Sequence, residues 1–190
     1  MINLNIVKRV IKYPLVMPHM VLFHFCDTIQ KERILDDVEL MNKRCKQKQG
    51  LSYYLIERKP YRNLFYYRIP KARFFKLFLP QYNQFTIVEG CDFEGGAFVL
   101  NHPYSTIINA KRIGHNFTCC HLTTIGNGRH GDNSTLPVIG NNVSLGANVT
   151  IIGNITIGDN VVVGAGSVVV NNIPGNSVVV GNPARIIKTL

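Results

Sequence analysis

The sequence predicts a parallel β-helix that follows a small α-helical region. Two observations lead to this prediction: aliphatic residues recur every six positions in the second part of the chain, and the excess of basic residues is confined to the first part. Residues 1–80 hold 16 Lys and Arg against 6 Asp and Glu, whereas residues 81–190 hold 5 of each. With 190 residues, of which 46% are hydrophobic, the chain can bury a real core, and disorder is excluded. We therefore expect a helical N-terminal region, 1–80, and a β-helix domain, 81–190.

The N-terminal region shows the periodicity of short helices. Asp27 and Gln30 resemble a capping box at the start of a helix that Gly50 ends. Apolar residues follow on one face at helical spacing: Ile34, Val38, Met41 and Cys45. Two further short helices are predicted at Leu51–Arg58 and Ala72–Leu79, ended by Pro60 and Pro80.

The second half has a period of six. Two in-phase aliphatic series run through Ile139, Leu145, Ile151, Ile157, Val163 and Val169, and through Val143, Val149, Ile155 and Val161, with a break at Ser167 before Ile173. The first phase extends back through Ile107, Ile113, Cys119 and Ile125. Gly or Asn follows many of these residues, because both tolerate the positive φ of a tight turn. A six-residue period is a signature of parallel β-helices, whereas a β-sandwich, the alternative, would alternate with period two.

The end of the repeats resembles a known family. Val163-Gly164-Ala165-Gly166-Ser167, Ile173-Pro174 and Gly181-Asn182-Pro183-Ala184-Arg185 resemble the hexapeptide-repeat acyltransferase superfamily, and the resemblance covers roughly residues 86–190. Asn101-His102-Pro103 is similar to serine acetyltransferases and to short O-acetyltransferases of bacterial surface-polysaccharide synthesis. The resemblance implies a left-handed, three-sided β-helix, a homotrimer, and acetyl-CoA as acyl donor in a groove between subunits.

Two positions depart from the serine acetyltransferase pattern. Those enzymes carry an aspartate about one coil before the catalytic histidine, where this chain has Ile87 and its neighbours, and a second histidine before a proline, where it has Leu136-Pro137. We therefore expect acetyl transfer to a hydroxyl, with a sugar of a surface polysaccharide or its precursor favoured over serine as acceptor.

Acetyl transfer to a hydroxyl needs a base that takes the hydroxyl proton and donors for the oxyanion that forms. The resemblance places a catalytic histidine at His102, and histidine suits the role because its pKa lies near neutrality. Asp92 is the first candidate to orient the imidazole, and a turn-forming role for Asp92 is the alternative. No Cys or Ser falls in the aligned catalytic position, so we expect direct transfer without a covalent enzyme intermediate.

Coenzyme A carries several phosphates, so its site needs cations and backbone donors. The resemblance places Ala147 and Ala165 beside the pantetheine arm, and Pro183, Arg185 and Lys188 near the nucleotide end.

The acceptor is expected beside the polar, glycine-rich interruption at residues 126–137, which must leave the β-helix as a loop. Arg129 and His130 of this loop are candidate contacts, and His121, about one coil after His102, is a third. A surface loop without function is the alternative.

Other function classes find less support. A zinc site needs three or four ligands, and no carboxylate or Cys completes a set with the histidines, so no metal is expected. The basic run at residues 43–48 suits a solvated helix face and has no nucleic-acid motif beside it. A noncatalytic β-helix scaffold or binding module is the alternative from another class.

The five cysteines lack C-x-x-C spacing and no signal peptide opens the chain, so we expect a cytoplasmic protein. The apolar run Pro14–Cys26 is too short to span a bilayer. Weak contact of residues 1–26 with the inner membrane face is a minor hypothesis.

Overall fold

Helices make up the first of the two units into which the chain divides, Met1–Asn83 and Gln84–Leu190. The computed structural model describes residues 4–99, 103–128 and 132–190. The described part of the first unit consists of α1 (Leu4–Phe25), α2 (Thr28–Cys45), α3 (Leu51–Glu57), α4 (Lys59–Arg68) and a 3-10 helix (Pro70–Leu77). Asp27 caps α2 by accepting a 2.8 Å hydrogen bond from the Gln30 amide, as the sequence predicts. Within the described residues, no helix is long and apolar enough to cross a membrane.

Three elements of this unit differ from the expectation. α1 forms although it contains Pro14 and Pro18, because its inward residues, Val16 and His19, are almost fully buried and offset the lost backbone hydrogen bonds. α4 was not predicted, since Pro60 reads as a stop; here it lies in the first turn of α4, where proline is well tolerated. The helix predicted at Ala72–Leu79 is the 3-10 helix that begins at Pro70.

A buried ion pair joins α2 to α4. Arg68 Nε lies 3.0 Å from Asp37 Oδ2, and Arg68 Nη2 lies 3.1 Å from Asp37 Oδ1. Both side chains are only 1% exposed. This bidentate geometry is the strong form of an arginine–carboxylate contact. Its attraction offsets the free-energy cost of removing two charges from water only while both partners are present.

Arg62 stabilises the same unit by bonding to backbone carbonyls. Its guanidinium donates to Leu55 O at 2.6 Å, to Ile56 O at 2.8 Å and to Pro80 O at 2.9 Å. The first two carbonyls belong to the last turn of α3, where carbonyls have no partner inside the helix. Arg62 therefore caps α3 and fixes the segment that follows the 3-10 helix.

The second unit is a left-handed parallel β-helix of three sheets. Sheet A contains β1 (Phe85–Ile87), β4 (Thr106–Ile108), β7 (Thr124–Gly126), β10 (Thr150–Ile152) and β13 (Val168–Val169). Sheet B contains β2 (Asp92–Phe93), β5 (Arg112–Ile113), β8 (Val138–Ile139) and β11 (Thr156–Ile157). Sheet C contains β3 (Phe98–Val99), β6 (Thr118–Cys119), β9 (Ser144–Leu145), β12 (Val162–Val163), β14 (Ser177–Gly181) and β15 (Ala184–Thr189). All described pairings are parallel except that of β14 with β15.

The six-residue series forms the core of the β-helix. Every residue of the first series, from Ile139 to Val169, is at most 1% exposed, and the second series is also buried, with Ile155 at 8%. Ser167 replaces an aliphatic residue at a buried corner because its hydroxyl donates to Gly164 O at 2.7 Å and accepts from Gly181 N at 3.2 Å.

The backward extension of the phase is wrong at one position. Ile107 is 48% exposed, and its neighbour Ile108 is the fully buried residue. Ile108 pairs with Ile125, only 17 residues later, so this coil is one residue shorter than three hexapeptides. The inward position therefore shifts by one residue between β4 and β5.

A ladder of asparagine side chains runs along the corner between sheets B and C. Nδ2 of each residue donates to Oδ1 of the next at 2.8–2.9 Å. All members have a positive φ of 55–58°, which Asn tolerates better than other L-residues. The members are Asn116, Asn142, Asn160 and Asn176.

Asn142 lies inside this ladder, so Asn142→Ala should lower the free energy of unfolding by about 2–3 kcal/mol. The alanine loses two ladder hydrogen bonds and must adopt a left-handed backbone. Asn142→Gly loses the same bonds but tolerates the backbone, so it should cost about 1 kcal/mol. Urea unfolding of both variants measures the difference, and equal losses would contradict a backbone contribution.

Candidate active site

One corner of the β-helix, between sheets C and A, stacks the turns of successive coils. Backbone hydrogen bonds join these turns: the Asn148 amide, for example, donates to the His121 carbonyl at 2.9 Å. At the equivalent steps, the Leu122 amide donates to the Tyr104 carbonyl at 2.9 Å and the Gly166 amide donates to the Ala147 carbonyl at 2.8 Å. We call this column of turn residues the C–A corner; its members are Tyr104, His121, Ala147 and Ala165.

The C–A corner brings three sequence-predicted residues into one line. His121 and Ala147 are partly exposed, and Ala165 is exposed. Because two consecutive steps of the column carry only methyl groups, a ligand can reach the backbone polar groups there. Tyr104, which is 46% exposed at the head of the column, is a site residue that the sequence reasoning missed.

The connection that contains His102 is longer than its equivalents. Six residues, 100–105, separate β3 from β4, whereas four residues, 120–123, separate β6 from β7. His102 itself lies outside the described residues, so its role stays a prediction. The described end of this connection holds Ser105 at φ 47°, and Leu122 on the next coil has φ 59°. A positive φ costs an ordinary L-residue about 1–2 kcal/mol, and backbone strain of this kind is concentrated at functional sites.

Close contact between coils at the C–A corner requires glycine at position 146. A Cβ added there would lie 2.6 Å from Ala165 N and 2.9 Å from Ala165 Cα, both backbone atoms. Gly146→Ala should therefore lower the free energy of unfolding by about 1–3 kcal/mol. Gly126→Ala is the matched control, because an added Cβ there meets nothing within 4 Å. Thermal unfolding measures the stability of both variants, and equal stability would contradict the prediction.

The predicted nucleotide-binding residues lie on the hairpin formed by β14 and β15. β14 pairs with β12, and β12 leads into the turn that holds Ala165. The hairpin therefore continues the stack one coil beyond Ala165. Pro183, Arg185 and Lys188 are all exposed on it, and their contact with a nucleotide stays a prediction.

The polar loop leaves the β-helix at a different corner. β7 of sheet A ends at Gly126 and β8 of sheet B begins at Val138, so the loop lies at the opposite edge of sheet A from the C–A corner. Asp132 accepts hydrogen bonds from the Ser134 amide at 2.9 Å and hydroxyl at 2.5 Å, and these bonds lower the pKa of its carboxyl. Arg129 and His130 lie outside the described residues and stay predictions.

The acids near His102 in sequence belong to sheet B. Asp92 is exposed on β2, opposite Arg112 in the strand register, and its orienting role stays a prediction. Glu94 is engaged elsewhere: its Oε1 lies 2.6 Å from Arg112 Nη2 and its Oε2 lies 3.1 Å from His115 Nε2. These contacts make Glu94 part of a surface ion-pair cluster on sheet B.

The cysteine thiols and the Thr and Ser hydroxyls next to the C–A corner do not suit a mechanism with a covalent enzyme intermediate. Burial raises the pKa of both Cys119 and Cys120, so their thiols are protonated at neutral pH and are poor nucleophiles. The Thr123 hydroxyl donates to Cys120 O at 2.8 Å, as the Ser167 hydroxyl does to Gly164 O. These hydroxyls therefore serve to close the turns.

The histidines of the described β-helix lie on different faces. His115 follows β5 of sheet B, and His121 follows β6 of sheet C, as their six-residue separation predicts. In the part of the chain that the structure describes, no three His, Cys, Asp or Glu side chains are grouped to hold a metal ion.

Known proteins share this architecture. Residues 137–171 match the profile of the family "Bacterial transferase hexapeptide (six repeats)". Hexapeptide repeats of this family thus make up residues 137–171 of the chain. Its relative WcaB of Escherichia coli K12, a putative colanic acid biosynthesis acetyltransferase, is 52% identical over 93 residues, 48% of this chain and 57% of WcaB. The serine acetyltransferase of Buchnera aphidicola is 40% identical over 98 residues, 50% of this chain and 38% of that enzyme. These matches thus span less than two thirds of the length of either curated relative.

Solved structures extend the likeness to most of the length of the chain. Serine acetyltransferase of Neisseria gonorrhoeae superposes with a TM-score of 0.73 at 23% identity, covering 96% of this chain and 79% of that enzyme. Apo soybean serine acetyltransferase gives a TM-score of 0.69 at 26% identity, covering 85% and 70%. The Brucella abortus enzyme in complex with coenzyme A gives 0.66 at 22% identity, covering 84% and 68%. These likenesses support the fold of the chain.

Proposed function

We propose that this protein is an acetyl-CoA-dependent O-acetyltransferase whose acyltransferase domain is residues 81–190. The observation that carries the proposal is the C–A corner, which aligns His121, Ala147, Ala165 and the β14–β15 hairpin along one edge. A long, thin donor such as acetyl-CoA fits such a column, with its phosphates near Arg185 and Lys188 and its thioester near His102. Coenzyme A bound to a Brucella relative of the same fold supports this assignment.

The proposed reaction is direct transfer. His102 takes the proton of the acceptor hydroxyl as the oxygen attacks the thioester carbonyl. The new C–O bond forms, the C–S bond breaks, and the proton passes from the imidazole to the departing coenzyme A thiolate. The protonated Cys119 and Cys120 take no part in this sequence. Asp92 or a backbone carbonyl orients the imidazole of His102.

A homotrimer is part of the proposal. The loop at residues 127–137 and the C–A corner lie at opposite edges of sheet A, so they cannot border one pocket through a short contact within one β-helix. Packing of neighbouring prisms would bring the loop of one subunit to the C–A corner of the next. Arg129 and His130 would then contact the acceptor that His102 of the neighbouring subunit activates.

A sugar hydroxyl is the favoured acceptor. The 52% identity to a putative colanic acid biosynthesis acetyltransferase supports a surface polysaccharide or its precursor. Serine is the second candidate, because three further relatives are serine acetyltransferases. Leu136-Pro137 stands where those enzymes carry a histidine before the proline, which weighs against serine.

We place the protein in the cytoplasm, where five cysteines that form no disulfide suit the reducing environment. Its basic first unit is compatible with peripheral contact at the inner membrane face.

Release of free coenzyme A thiol from acetyl-CoA tests the function. The wild-type protein is assayed with L-serine, with nucleotide sugars and with oligosaccharide fragments as acceptors. Acceptor-dependent release with a sugar and not with serine is the expected result. Release with serine alone would establish the second candidate. Absence of coenzyme A binding by calorimetry would contradict the proposal and leave the scaffold alternative.

A further inference from the structure

We infer that the helical unit docks on an anionic lipid bilayer through the outer face of α1 and the 3-10 helix Pro70–Leu77. Membrane docking is a function separate from acyl transfer. The inference rests on the proposed function only for which membrane is bound, namely the inner face of the cell envelope. The supporting observations are the exposure of large apolar side chains on both elements and the sign of the charges among them.

The outer face of α1 is apolar and exposed to solvent. Val10, Met17, Val21 and Phe25 are 67, 48, 48 and 79% exposed, and with Pro14 they recur at steps of four, three, four and four residues. Such spacing places them on one side of a helix. The opposite side packs into the helical unit, so the exposed stripe is not the inner face of that unit.

The 3-10 helix presents the second half of the surface. Phe74 and Leu77 are 86 and 89% exposed, and exposed apolar side chains that form a patch mark an interaction site. Lys71 precedes both residues in the sequence, and Lys76 lies between them. The two elements are neighbours, because the rings of His19 in α1 and Phe75 in the 3-10 helix lie 5.8 Å apart.

Charge decides which partner fits this surface. Residues 1–26 contain no Asp or Glu, and neither does the 3-10 helix, which carries Lys71, Arg73 and Lys76. A second copy of the same surface would bring like charges together, which disfavours self-association. A nucleic acid would bind the cations but would leave the exposed apolar side chains in contact with water. An anionic bilayer accepts both, because apolar side chains enter the boundary of the acyl region while cations meet the headgroups.

Vesicle flotation of the full chain tests the inference. Phosphatidylcholine vesicles are compared with vesicles that contain a quarter phosphatidylglycerol, at low salt and at physiological salt. Binding to the anionic vesicles should be at least about tenfold tighter than to the neutral ones and should weaken as salt rises. Phe74→Ser with Leu77→Ser should reduce binding by about tenfold. The matched control is Ile186→Ser with Ile187→Ser on β15, which also removes two exposed apolar residues, 48 and 62% exposed, and should change binding less than about twofold.

Three outcomes would overturn the inference: no binding to anionic vesicles at low salt, equal binding by both double variants, or a lower sedimentation mass of the lipid-free Phe74/Leu77 variant. The last result would assign the surface to a second copy of the chain. Thiol release with a soluble acceptor is measured without vesicles in parallel. The Phe74/Leu77 variant should keep that activity, so failure of membrane docking and failure of the transferase proposal give different results.

Discussion

Replacing His102 with alanine is expected to lower kcat/KM for thiol release by about 10²–10⁴-fold. The loss falls on the step in which the hydroxyl proton is removed, because the substitution takes away the proposed base. Acetyl-CoA binding should change little, since the donor site is assigned to Ala147, Ala165 and the β14–β15 hairpin. Steady-state kinetics at saturating acceptor, together with calorimetric titration of coenzyme A, separate the two effects.

His115→Ala is the matched control for this experiment. His115 is exposed on sheet B beside Glu94, away from the C–A corner, so its loss should change kcat/KM by less than about threefold. His121→Ala tests the neighbouring coil. A loss with His121→Ala that equals or exceeds the loss with His102→Ala would contradict the assignment and move the base to His121.

Arg68→Met should lower the free energy of unfolding of the helical unit by about 3–5 kcal/mol. The substitution leaves the carboxylate of Asp37, which is 1% exposed, buried without its guanidinium. Asp37→Leu combined with Arg68→Met removes both charges and should recover most of the loss, because the desolvation penalty disappears with the ion pair. Urea unfolding followed by circular dichroism at the helical band measures each variant.

Arg112→Met provides the comparison at the protein surface. Arg112 lies close to Glu94, but the Arg112 side chain is 44% exposed. When the substitution removes this ion pair, water solvates the carboxylate of Glu94 instead. The expected cost is at most about 1 kcal/mol. Similar costs for Arg68→Met and Arg112→Met would contradict the argument that burial makes the Asp37–Arg68 pair sensitive to the loss of one partner.

The period of six predicts the core of the β-helix because each coil must place one aliphatic residue per strand inward. The prediction is confirmed from Ile139 to Val169 and is wrong at Ile107, where one coil loses a residue. Local signals also predict α2, through its Asp27 cap. They miss α1, because burial of Val16 and His19 against the rest of the unit overrides the prolines, and such tertiary contacts are not visible in a local pattern.

The candidate site is predictable only in part. The family resemblance points to Ala147 and Ala165, and the structure places both in the C–A corner. Tyr104 was missed because its place depends on the length of the connection between β3 and β4; its 17-residue distance from His121 is the signal that could have found it. The loop's position at the far edge of sheet A also depends on coil geometry, which composition does not encode. The roles of His102, Arg129 and His130 stay predictions.

The reversal of direction at β15 has a consequence for how the chain avoids polymerising. A parallel β-helix that simply stopped would offer the backbone donors and acceptors of its last coil to another molecule, as a fibril end does. In sheet C, β15 covers that edge with an antiparallel strand that carries Arg185 and Lys188. An incoming copy would meet a strand of the wrong direction bearing positive charge, so end-to-end growth along this sheet is disfavoured. The same hairpin that we assign to the nucleotide thus also covers this edge of sheet C.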